Sequence, residues 1–70
     1  MDPKQRFGAN LRALRNQSGM TQMTLSNRSG VDMAEISRIE RGLKDVRLTT
    51  IVKVARGLDV PTGELLAGLP

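Results

Sequence analysis

Apolar side chains recur at spacings of three and four along nearly the whole chain, and no stretch sustains an alternation of period two. A pattern of that kind gives each segment one apolar stripe to bury, so it predicts an all-α fold of short amphipathic helices around a shared core. Seventy residues leave room for one core only, and the expectation is a single domain over 1–70. A chain of this size buries only about 60% of the surface its unfolded form exposes, so its stability is marginal unless a disulfide, a metal, a partner or tight helix packing adds to it. The chain contains no Cys and no His. Disulfides, thiolate nucleophiles, Cys-based zinc sites and the commonest general base are therefore excluded, and neither a metal, a cofactor nor an enzyme is expected.

Five helices are predicted. The first runs from about Pro3 or Lys4 to Gln17, with Phe7, Leu11 and Leu14 on its buried face, and stops at Ser18-Gly19. The second opens after Thr21 as N-cap, with Met20 placed to staple onto Leu25, and ends at Ser29-Gly30. The third has the strongest start signal: Asp32 as N-cap, Glu35 three residues on as its reciprocal partner, and Val31 with Ile36 as a hydrophobic staple. Ile36 and Ile39 point inward from it, Met33, Ala34, Ser37, Arg38 and Arg41 face outward, and Gly42 ends it. Beyond a loop carrying Lys44 and Arg47, a fourth helix from about Leu48 to Leu58 buries Ile51, Val54, Ala55 and Leu58. Gly57 inside that helix costs about 1 kcal/mol relative to Ala and predicts a frayed last turn. Asp59-Val60-Pro61 breaks the chain, and Thr62 is read as the cap of a short fifth helix filled by Glu64, Leu65 and Leu66.

Charge narrows the partner. The chain has 11 Lys and Arg against 7 Asp and Glu, a net +4, and eight of the basic residues are Arg. The planar guanidinium fork matches phosphate oxygens and the guanine major-groove edge. Phe7 is the only aromatic residue, which removes the stacking platforms that single-strand and RNA-binding surfaces use. Double-stranded DNA is the expected partner. There is no apolar run of about 18 residues, no signal-peptide pattern and no Lys-rich amphipathic face, so a soluble cytoplasmic protein without a membrane partner is expected.

Between about 21 and 41 the chain reads as a helix, a glycine turn and a second helix with strong start signals, a helix-turn-helix layout. Leu25, Val31, Ile36 and Ile39 are placed to lock the two helices at a steep angle, with Ser26 as the small residue at their approach. The second helix then protrudes, and its N-terminal half fits a major groove about 12 Å wide. The segments Met20-Thr21-Gln22, Leu25-Ser26, Ser29-Gly30-Val31 and Ile36-Ser37-Arg38-Ile39-Glu40-Arg41-Gly42, followed by Leu48, Ile51, Ala55, Leu58, Val60-Pro61 and Leu65-Leu66, resemble the phage-repressor-like (Cro and repressor) helix-turn-helix family. The likeness runs from about Arg6 to Leu69.

That resemblance implies a compact five-helix, lambda-repressor-like DNA-binding domain acting as a homodimeric transcriptional regulator on a two-fold operator. It places Gln22 at a DNA phosphate, Met33, Ala34, Ser37 and Arg38 toward base edges, and Lys44, with Arg41 and Arg47, along the backbone. Met33 and Ala34 depart from the polar residues usual in the family, which shifts base reading onto Arg38 and DNA shape. Arg15 and Glu40 are implied as an ion pair tying the first helix to the end of the third. The second helix carries no carboxylate. In activating members acidic residues there often touch polymerase, so the resemblance leans to repression. Leu65, Leu66 and Leu69 exceed what so small a bundle needs inside and are read as a dimer interface. The alternative reading is a protein-interaction module such as the antitoxin of a toxin-antitoxin pair, or a restriction-modification controller, with a toxin or polymerase as a further partner.

Overall fold

The computed structural model describes residues 1–70 as five helices: α1 (Pro3–Gln17), α2 (Gln22–Ser29), α3 (Met33–Glu40), α4 (Leu48–Leu58) and α5 (Thr62–Leu65). Every helix contributes to one core, formed by Phe7 and Leu11, Leu25, Ile36 and Ile39, Val54, Ala55 and Leu58, and Leu65, with Val31 of the α2–α3 turn among them. α1 lies along α3, α2 packs on both α3 and α4, and α5 closes the bundle against α1 and α4. No helix is long and apolar enough to cross a membrane.

Local chemistry starts and stops these elements. α1 opens on a full capping box: the Gln5 N–H donates to the Asp2 carboxylate at 2.9 Å and the Asp2 N–H donates to Gln5 Oε1 at 3.2 Å, with Pro3 at the first helical position. Thr21 caps α2 by accepting from the Thr24 N–H at 3.0 Å. Asp32 caps α3, as expected, by accepting from the Ala34 N–H at 3.4 Å. Glu35 does not return the favour. Its carboxylate pairs with Lys44 instead, at 3.1 Å, so the reciprocal capping role is withdrawn. The cap of α5 is also corrected: Thr62 lies within the helix, Pro61 is the N-cap residue, and no side chain bonds there.

The buried face of α4 is as expected at Val54, Ala55 and Leu58 and differs at one position. Ile51 is only partly buried, and Thr50 takes a buried place beside Val54, Ala55 and Leu58. The last turn is helical through Leu58 and is closed by a cap. Asp59 adopts the left-handed conformation (φ 58°), which lets the Val60 N–H reach the Ala55 carbonyl at 3.0 Å and closes the helix.

Gly57 has a packing reason. A Cβ there would stand 2.9 Å from the Ser29 Cβ and 3.0 Å from a Leu25 methyl, so the missing side chain is what lets α4 lie against the end of α2. Gly8 does the same for α1, where a Cβ would strike the Ile39 carbonyl oxygen and come within 2.9 Å of the Glu40 carbonyl. The Asn10 side-chain amide donates to the Leu65 and Ala67 carbonyls at 2.9 and 2.7 Å, which supplies partners to the end of α5 and fastens it to α1. Leu65 is fully buried in this core, while Leu66 is 41% exposed and Leu69 partly so. Leu65 is therefore removed from the expected dimer surface, since presenting it would require opening the bundle.

Helix propensity alone favours Gly57→Ala by about 1 kcal/mol. The contact with α2 reverses the sign: the variant should lose about 1–3 kcal/mol from overpacking, read by urea unfolding, and equal or greater stability would contradict the close approach.

Candidate nucleic-acid interface

The α2–α3 unit is built by a three-residue link. The Gly30 N–H donates to the Ser26 carbonyl at 2.9 Å with Gly30 at φ 76°, a conformation that costs glycine little. The Val31 N–H donates to Ser29 Oγ at 3.1 Å, and the buried Val31 drops into the core beside Leu25 and Ile36. The chain turns sharply at this point, and α3 emerges with Ile36 and Ile39 held inward.

At 3.6 residues per turn, Ala34, Ser37, Arg38 and Arg41 share the stripe opposite those isoleucines, with Met33 at its N-terminal edge. Ala34, Arg38 and Arg41 are exposed, Met33 is 42% exposed and Ser37 is half-buried. The Arg38 guanidinium makes no hydrogen bond or ion pair within the chain, whereas Arg41 folds back and donates from Nε to the Ser37 carbonyl at 3.3 Å, over the negative end of α3. Lys44 stands just beyond in the loop, its ammonium held by Glu35. These six residues thus form one continuous surface.

Gln22 does not join it by its side chain. Its amide donates to Glu40 Oε1 at 3.2 Å, inside a cluster that the resemblance anticipated only as a pair. Arg15 donates from Nε to Glu40 Oε2 at 2.6 Å and from Nη2 to Oε1 at 3.0 Å, and from Nη1 to the Met20 carbonyl at 2.8 Å. The side chains of Arg15 and Glu40 are only 12% and 3% exposed. One guanidinium therefore ties α1 to the last residue of α3 and to the residue leading into α2. The Glu40 hydrogen bonds hold Arg15 above its ordinary pKa, with burial opposing and the Glu40 charge adding to the rise. A raised basic group stabilises the fold below its unfolded pKa and releases that stability only as pH climbs through the raised value, so the guanidinium stays charged at every pH at which the protein is handled.

Gly8, which lets α1 approach the end of α3, and Asn10, which fastens the end of α5, carry no distinct signal in the sequence. A glycine or asparagine in the middle of a helix is a weak signal, and its purpose lies on a neighbouring helix. The chain also has two open grooves, neither lined by α3. One, of about 140 Å³, runs past Phe7, Val46, Ile51, Leu66 and Leu69, and is smaller than the roughly 300–1,000 Å³ of small-molecule sites. The other, of about 330 Å³, lies on α4 along Leu48, Val52, Lys53 and Arg56.

A short helix, a glycine-closed turn and a second helix whose outer face is free of the core define a helix-turn-helix protein. The chain belongs to the helix-turn-helix domain family, whose model matches residues 6–69. It is 46% identical over 56 residues to the HTH-type transcriptional repressor RghR of Bacillus subtilis, covering 79% of this chain and 42% of that protein. Over 50 residues it is 48% identical to the uncharacterized HTH-type transcriptional regulator y4dL of Sinorhizobium fredii, covering 71% of this chain. The chain spans only 26% of y4dL, so both relatives are much longer than the part they share with it. Among solved structures, the restriction-modification controller protein C.AhdI from Aeromonas hydrophila superposes with a TM-score of 0.86 at 40% identity, covering 89% of this chain and 94% of that one. The family is one of DNA-binding regulators and not an enzyme class.

Removing one partner of the Arg15–Glu40 pair leaves the other charge buried. Arg15→Ala should cost about 3–5 kcal/mol, enough to take most of a small domain's stability. Arg15→Lys should lose less, because it keeps the charge but not the two-pronged contact. The double replacement by Met at 15 and 40 should recover much of the loss, so thermal unfolding that shows the two single losses simply adding would refute the pairing.

Proposed function

We propose that this chain binds double-stranded DNA sequence-specifically as a homodimer, with α3 in the major groove, and acts on transcription as a repressor or autoregulator. The observation that carries the reading is the outward face of α3, where the Arg38 side chain is exposed and uncommitted while Ile36 and Ile39 anchor the helix in the core. A guanidinium so placed can bond bidentately to guanine O6 and N7, worth about 1–3 kcal/mol of discrimination. Ser37 and Arg41 flank it, and Lys44 is positioned to track the phosphate backbone once it leaves Glu35. Because the Gln22 amide is bound to Glu40, the phosphate contact assigned to that residue falls first to the backbone N–H at the start of α2, with the side chain following if it changes partner.

Two copies are favoured by size. α3 has eight residues, about 12 Å of helix, which spans only about four base pairs. The chain's longest dimension is 29 Å, short of the roughly 34–36 Å between half-sites one turn apart. The apolar strip of Leu66 and Leu69, continuous with Val46 and Ile51, is the surface by which a second copy would be joined. A restriction-modification controller is the second reading. It is favoured by the likeness to C.AhdI, 94% of whose chain is covered at 40% identity. A neighbouring restriction or modification gene separates this reading from a free-standing repressor, and a toxin-like gene would indicate the antitoxin alternative.

Selection of bound duplexes from a random pool, followed by sizing of the complex, tests the proposal, and a two-fold site with two chains bound is the expected result. Arg38→Ala should relax the preference for the selected site, whereas Lys44→Ala should weaken all duplexes alike and reduce the salt slope of log K by about one unit. Equal losses on selected and random duplexes for Arg38→Ala would remove it as the reader. Leu66→Glu should leave the fold intact, since the side chain is on the surface, but should shift sedimentation toward the monomer and weaken operator binding. Unchanged association would move the dimer interface elsewhere.

A further inference from the structure

The N-terminal end of α3, the part that enters a groove first, is apolar. Met33 is 42% exposed and Ala34 is exposed, and neither side chain has a hydrogen bond to offer a base beyond the weak thioether acceptor of Met33. Asp32 beside them is engaged as the helix cap, and Glu35, half-buried, is turned about 100° around the helix from Ala34 and so off the outward stripe. Arg38 follows one turn later with its guanidinium unbound.

In the major groove the edges of the bases are donors and acceptors, with one apolar feature, the 5-methyl group of thymine. Apolar side chains laid over a G·C pair exclude water from the cytosine amine and the guanine acceptors without replacing its hydrogen bonds, and that loss is unfavourable. Over an A·T pair the adenine amine and the acceptors suffer a similar loss, but the methyl group gives the side chains an apolar surface to cover in return. Resting on the proposed DNA-binding reading of α3, we infer that Met33 and Ala34 recognise thymine methyl groups, so that each half-site carries thymine within about two or three base pairs of the guanine taken by Arg38. The spacing follows from the helix: Ala34 and Arg38 are four residues, or about 6 Å, apart along its axis, and successive base pairs rise about 3.4 Å. The flexible, polarizable side chain of Met33 suits the task, because it can settle on a methyl group whose position varies with local groove shape.

The full chain and a duplex chosen from a random pool provide the test. Thymine should be recovered beside the guanine. Replacing it there by deoxyuridine, which removes only the methyl group, should weaken binding about fourfold per position in an anisotropy titration. Met33→Gln, checked for unchanged helical content by circular dichroism, should bind the thymine and uracil duplexes more nearly alike. G·C pairs at those positions, or equal affinity of the unaltered chain for the thymine and uracil duplexes, would overturn the inference. A selection that still returns the Arg38-dependent guanine but shows no uracil effect overturns this inference alone. A selection that enriches no sequence overturns the DNA-binding reading and this inference with it.

Discussion

Arg15 and Glu40 are separated by 25 residues, and their contact is the junction on which the arrangement of the first three helices depends. The Glu40 carboxylate, almost wholly buried, receives donors from Arg15 and Gln22, while the third Arg15 nitrogen holds the carbonyl of Met20. The start of α2 and the end of α3 are thus tied to one side chain of α1. A buried pair of this kind adds little net stability compared with a well-packed apolar pair, because both charges are taken out of water. Its value lies in direction, since a planar fork satisfied on both sides accepts few orientations of its neighbours. The pose of the helix-turn-helix unit relative to the bundle follows from that geometry.

The remaining order comes from backbones brought unusually close. Gly8 lets α1 meet the carbonyls at the end of α3, and Gly57 lets α4 meet α2. Both glycines weaken their own helices as judged by propensity, and both are offset by apolar burial that a Cβ would prevent. α5, only four residues long, could not persist alone. Leu65 anchors it in the core, and Asn10 donates to the Leu65 carbonyl at its end and to the Ala67 carbonyl just beyond.

Function follows from which polar groups this framework occupies and which it leaves free. Glu35, Gln22 and Arg41 each have a partner within the chain, and Lys44 has one that a phosphate can displace. Arg38 has none. A surface that is largely committed internally, with a single free guanidinium beside an apolar tip, limits base recognition to a few contacts. In the proposed DNA-bound form, that economy is what joining two copies would offset.

Much of this was legible in the residues. The boundaries of α2, α3 and α4 follow from the Thr21 and Asp32 caps, the turn at Gly30 and the apolar spacing, because these are local effects acting within one turn of helix. The outward placement of Met33, Ala34, Ser37, Arg38 and Arg41 follows from the same periodicity once Ile36 and Ile39 are assigned inward. The family resemblance supplied the Arg15–Glu40 pair, which periodicity alone could not. What the chain could not disclose locally were its long-range commitments: Glu35 engaged with Lys44 instead of the Asp32 cap, Gln22 turned to Glu40, Leu65 withdrawn from the surface, and Gly57 serving a neighbour. In each case the local rule offered one option, and contacts beyond that turn of helix decided otherwise. Sequence alone determined the helices and the face that meets solvent, since backbone hydrogen bonding and amphipathic spacing act between near neighbours. Only the tertiary structure decided which side chains on that face remain free to bind, because that depends on contacts between helices.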